Sequence, residues 1–143
     1  MQSTLIYINT IIFLFLSALH FYWVFGGKWA AEKVIPTSLE GKCMLNPSKL
    51  STSIVALVLL FFALTIYLQN HLISFSIPVQ YLKYMVFFIA GIFLLRSVGD
   101  FKYVGFFKKV HDTVFAKNDS KIYSPLCLYL ALSCLTIVIL HTA

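Results

Sequence analysis

Charge is scarce in this sequence. Asp, Glu, Lys and Arg make up only 11% of its 143 residues, against roughly 25% in a soluble domain of ordinary composition. A water-soluble fold is excluded by the counterpart of that scarcity, because 60% of the residues are apolar and one small domain cannot enclose so much apolar surface. Catalytic signatures are also missing. There is no HExxH, no GxSxG and no pair of intramembrane carboxylates, and Gly26-Gly27-Lys28 lacks the GxxxxGK[ST] spacing of a phosphate loop. The three cysteines form no CxxC, no disulfide framework and no zinc spacing with histidine. Cys43 falls in a loop, while Cys127 and Cys134 read as small buried residues of the last apolar run. Nothing calls for a metal or a cofactor. The first apolar run lacks the basic start of a signal peptide, since Met1 to Thr4 carries no Lys or Arg. It is therefore expected to be a retained helix. No internal repeat or low-complexity tract is present.

What remains is four continuous apolar runs, at about 5–25, 52–68, 77–95 and 124–141. Roughly 20 helical residues at ~1.5 Å each cover the ~30 Å hydrocarbon core. Lipid offers backbone groups no partner, so each run is expected to be an α-helix. The runs do not alternate, which excludes the short strands of a membrane barrel. The expected fold is an all-α membrane protein, one four-helix transmembrane domain over residues 1–143. Asn46-Pro47 and Ser124-Pro125 are expected to cap and start the second and fourth helices. Gly26-Gly27 is expected to loosen the end of the first. Asn9 and Thr10 are expected to bond a neighbouring helix, and Gly91, Cys127, Ala131 and Cys134 to allow close helix contact. Lys83, near the start of the third run, can snorkel to the headgroups.

Ten of the 11 basic residues fall in or beside the first and third loops: Lys28, Lys33, Lys42 and Lys49, then Arg96, Lys102, Lys108, Lys109, Lys117 and Lys121. The positive-inside rule places those loops in the cytoplasm and both termini outside. Basic residues beside apolar spans indicate anionic lipid as their partner rather than nucleic acid. In the third loop, Tyr103, Phe107, Val110 and Val114 recur at helical spacing. This predicts an amphipathic segment in the interface plane or packed on the protein. Trp23 and Trp29 read as interface anchors, with Lys108 and Lys109 also interfacial. Asp119 and Tyr123 read as loop and anchor residues at the entry to the fourth run.

A few polar residues near the ends of the spans are candidates for a site. His20 lies in the last turns of the first run, near Trp23. Arg96 and Asp100 are four residues apart, one helical face, where they can form a simple ion pair. If the first and third runs are neighbours, His20, Trp23, Arg96, Asp100 and Tyr103 gather at the cytoplasmic end. That cluster could hold an anionic headgroup or move a proton.

The motif blocks carry a resemblance. His20-Phe21-Tyr22-Trp23, Gly26-Gly27-Lys28-Trp29 and Ile35-Pro36 form the early block. The late block runs unbroken from Arg96 to Lys109 and continues through Thr113, Phe115-Ala116, Asp119 and Tyr123-Ser124-Pro125-Leu126-Cys127. Together they resemble a family of small bacterial membrane proteins catalogued as domain of unknown function 3995. The resemblance implies a four-helix protein of the bacterial cytoplasmic membrane and brings no activity with it. Three functions stay open: binding of lipid or an anionic amphiphile at the cytoplasmic face; a small membrane enzyme or proton-coupled transport component using His20, Arg96 and Asp100; and an accessory subunit packed on a membrane partner or on a second copy.

Overall fold

The computed structural model describes residues 2–36, 38, 43, 46–69 and 79–142. The elements are α1 (Gln2–Val24), α2 (Ala31–Val34), α3 (Lys49–Leu68), α4 (Val79–Val98), α5 (Val114–Asn118), a π-helical turn (Asp119–Tyr123) and α6 (Ser124–Thr142). Four helices are long and apolar enough to cross a membrane, namely α1, α3, α4 from Gln80, and the composite Val114–Leu140. The expected start of the third span at 77–78, the second loop and Lys42 lie outside the described residues.

Each boundary has a local cause. After α1, Gly26 turns left-handed at φ 92°. Its N–H donates to the Trp23 carbonyl, and that of Gly27 to the Tyr22 carbonyl. This is a Schellman closure, which satisfies the last carbonyls and stops the helix rather than loosening it. The cap of α3 is Ser48, whose side chain accepts from the N–H of Ser51 at 3.1 Å. Asn46-Pro47 lies just ahead of it, so the cap-and-proline expectation is displaced by two residues. Ser124 is the first residue of α6, as expected, but it caps no free helix end, because it is itself helical and continues the turn before it. The helical path begins at Thr113, whose side chain caps Ala116. It then runs through the π turn, where the Ser124 N–H reaches the Asp119 carbonyl five residues back.

The helices pack as two antiparallel pairs, α1 with α3 and α4 with α6. Lipid tails are as apolar as leucine, so shape and hydrogen bonds rather than the hydrophobic effect hold such helices together. Phe13 of α1 joins three helices, its ring 5.9 Å from Phe62 of α3 and 5.3 Å from Phe93 of α4. Asn9 Nδ2 donates to Ser133 Oγ across α1 and α6 at 2.8 Å. Ser17 Oγ donates to the Ala56 carbonyl at 2.8 Å. Thr10, expected to bond a neighbour, donates instead to the Ile6 carbonyl of its own helix. Buried Cys127, Ala131 and Cys134 let α6 approach its partners closely. Gly91 does not serve this purpose, because a Cβ there would meet nothing within 4 Å. The outer faces remain apolar, with Ile11, Phe15, Phe61, Phe88 and Leu95 all exposed, the pattern of helices solvated by lipid.

Candidate functional site

The basic end of the bundle is organised around Asp119, which is fully buried. Arg96 Nη2 donates to its Oδ1 at 3.1 Å. Its Oδ2 accepts from the Gly105 N–H at 2.8 Å and from Lys108 Nζ at 3.0 Å. Lys108 is enclosed as well, and its ammonium also donates to the Gly105 carbonyl and to Ser120 Oγ at 2.7 Å. Side-chain exposure is 0% for Asp119, 1% for Lys108 and 35% for Arg96. Both carboxylate oxygens are therefore satisfied, and two cations share one anion. Such a cluster tolerates burial only while every charge keeps a partner.

The third loop is shaped to make this possible, and it is not helical between residues 99 and 113. Gly99 and Gly105 both have positive φ, 88° and 89°. Their backbones pass so closely that a Cβ on Gly99 would meet the Val104 carbonyl, and one on Gly105 the Val98 carbonyl. The Phe106 N–H donates to the Ser97 carbonyl at 2.9 Å, which folds the loop back on the end of α4. Asp100 Oδ1 accepts the N–H groups of Lys102, Tyr103 and Val104 at 2.7–2.9 Å. Burial alone would raise the Asp100 pKa, but those backbone donors together hold it below the ordinary carboxylate value. The turn at Gly99 also ends the helical register, so positions 96 and 100 no longer share a face. Arg96 consequently pairs with Asp119, not with Asp100 as the spacing predicted. The helical period of Tyr103, Phe107, Val110 and Val114 corresponds to no amphipathic helix here. Phe106, Phe107 and Lys109 are exposed, and Lys102 Nζ lies 5.1 Å from the Tyr103 ring centre.

Beside the cluster, a cavity of about 480 Å³ opens between the first loop and the ends of α1, α3 and α4. That size lies in the range of small-molecule sites. Leu16, Leu19, Val34, Ile35 and Val55 supply apolar wall, and His20, Lys49, Arg96 and Tyr123 supply polar groups. His20 Nδ1 lies 2.7 Å from the Leu16 carbonyl. A carbonyl can only accept, so Nδ1 carries a proton, and in the neutral ring Nε2 is the acceptor. The imidazole packs edge-on against Trp23, with centroids 4.9 Å apart. Trp23 Nε1 donates to the Trp29 carbonyl, and Tyr123 Oη donates to the Lys33 carbonyl. These two bonds tie the first loop over the cavity. Among the described residues Arg96 Nη1 is buried without a hydrogen-bond partner, a condition that normally calls for a water or a ligand.

Of the candidate residues, His20, Trp23 and Arg96 meet at this cavity, while Asp100 and Tyr103 are not part of its lining. Trp29 is exposed, as an interface anchor would be, but Lys108 is buried in the ion cluster. Asp119, read from the sequence as a loop residue, is the centre of that cluster. Its signal was present as one of three aspartates in a basic loop, with Asp100 and Asp112, but which cations it meets depends on the fold of residues 99–113. The early and late motif blocks converge here: His20, Trp23, Gly27, Ile35 and Pro36 line the cavity from one side, Arg96 and Tyr123 from the other. Residues 13–134 match a family described as protein of unknown function (DUF3995). No curated protein and no solved structure matches the chain.

Proposed function

We propose that this chain, which belongs to the family described as protein of unknown function (DUF3995), binds an anionic amphiphile in the cavity at its basic end. Arg96 carries the reading. Arg96 lines the cavity, one of its guanidinium nitrogens is buried there without a hydrogen-bond partner among the described residues, and the remaining walls are mostly apolar. An acidic headgroup would complete the donor set of Arg96, within reach of Lys49 and His20, while its chain lies against Leu16, Leu19 and Val55. An ionised acceptor makes the stronger hydrogen bond to a guanidinium. By the same reading the first and third loops face the cytoplasm and both termini lie outside, supported by the bias of Lys and Arg towards that end. Binding of this kind needs no catalytic group. The alternative of proton chemistry between His20 and Asp100 is not favoured, because the Asp100 carboxylate is engaged by its own loop.

Native mass spectrometry of the protein released from its own membrane tests the proposal. A retained acidic amphiphile is expected on the wild type and is lost on Arg96→Gln, which keeps a polar, hydrogen-bonding end without the charge. A wild-type protein that carries no such adduct, or an adduct indifferent to Arg96→Gln, overturns it.

A further inference from the structure

We infer that Lys108 sets the ligand charge preference of the cavity without touching the ligand, by cancelling the Asp119 carboxylate that would otherwise neutralise Arg96. This deepens the amphiphile reading and rests on it. Arg96 is the cluster's point of contact with the cavity, but among the described residues its side chain bonds to a carboxylate alone. An isolated Arg–Asp pair presents no net charge and would hold an anion poorly. Lys108 changes that balance. Its ammonium sits 3.0 Å from the second oxygen of the same carboxylate and is almost fully enclosed. Two cations against one anion leave one positive charge on the cluster, and the cluster's most exposed member is Arg96. Among the described residues no other carboxylate pairs with either cation. Charges enclosed in protein are screened by salt much less than exposed ones, so Lys108 acts on the cavity over a distance that a surface lysine could not match. The Gly105 N–H and carbonyl hold Asp119 and Lys108 in place together, and glycine is required there by its positive φ and the close approach of the Val98 carbonyl.

The proposal makes opposite predictions for the two partners. The full chain is placed in neutral-lipid nanodiscs with Trp29→Phe, so that Trp23 fluorescence reports the cavity wall. The probes are dodecyl phosphate and uncharged dodecanol, and the quantity read is the ratio of their affinities. Wild type prefers the phosphate. Lys108→Met removes a cation and lowers the ratio by roughly tenfold, an effect of about 1.4 kcal/mol. Asp119→Asn removes the anion and raises the ratio above wild type. The double variant restores a net charge of one and returns the ratio towards wild type. A purely structural role for the pair weakens both probes together, leaves the ratio unchanged, and makes the double variant no better than Lys108→Met. That pattern overturns the inference while leaving the amphiphile site standing. If one single variant does not fold, the ratio in the other and in the double variant still decides. A wild-type protein that binds neither probe, or binds both equally, overturns the site and the inference together.

Discussion

Asp119 and Asp112 lie seven positions apart in one basic loop region, yet the fold gives them opposite roles. Asp112 is exposed, whereas Asp119 is buried between two cations. Removing one member of a buried charge pair costs about 3–5 kcal/mol, and exposed substitutions usually stay within about 0.5 kcal/mol. Asp119→Ala should therefore lower the thermal midpoint in detergent sharply, while Asp112→Ala should leave it nearly unchanged. Similar midpoints for the two variants would remove Asp119 from the centre of the fold. Asp100 has a different use, since it caps three backbone N–H groups at the surface. Its pKa is lowered in the folded loop. Its contribution is then present above the ordinary carboxylate value of 3.8 and is lost as pH falls through the lower folded value. Amide protection factors of Lys102, Tyr103 and Val104 should stay constant at neutral pH and drop only below that range. In Asp100→Ala they should be low at every pH. Protection that already falls between pH 7 and 5 would point to a different group.

Among the elements, the π-helical turn is the one that positions the site. Its extra residue shifts the register between α5 and α6, and Asp119 sits at its first position. Removing one residue restores α geometry and rotates Asp119 by about 100° relative to α6. Ile122 is exposed and can be removed without opening the core. Its deletion should destabilise the protein about as much as Asp119→Ala, because the carboxylate then leaves Arg96 and Lys108. Combining the two changes should cost little more than either alone, since both break one network. Fully additive losses would show that the turn does not serve the ion cluster. The third loop is the complementary element. Its positive-φ glycines allow a backbone crossing that no side chain would permit.

For the whole molecule, the proposed orientation has a direct readout. Cys43 is exposed, whereas Cys127 and Cys134 are buried among the helices. A membrane-impermeant maleimide should label the chain at Cys43 only after cells are opened, and Cys43→Ser should abolish the signal. Labelling in intact cells would invert the orientation and move the cavity to the outer face. The bundle also explains why both basic loops belong to one site. With four spans the chain returns twice to the same side, so the end of α1, the start of α3, the end of α4 and the π turn meet around one cavity.

The spans were legible because burial in lipid demands a property that every residue of a run must share. About 20 consecutive apolar side chains is a statement a sequence makes unaided. The same holds for the basic bias of two loops and, through the motif blocks, for the family. Cap positions were less legible, since Asn46, Ser48, Thr113 and Ser124 are all acceptable caps by residue type and packing selected among them. The site was only half visible. His20, Trp23 and Arg96 could be placed near one membrane face from their positions along the spans. The partner of Arg96 could not, because spacing of four favours Asp100 only if the helix continues, and Gly99 ends it. Which carboxylate meets which cation is decided by a backbone crossing and a one-residue π insertion. Those features act through distance in space, and the order of residues alone does not encode that distance.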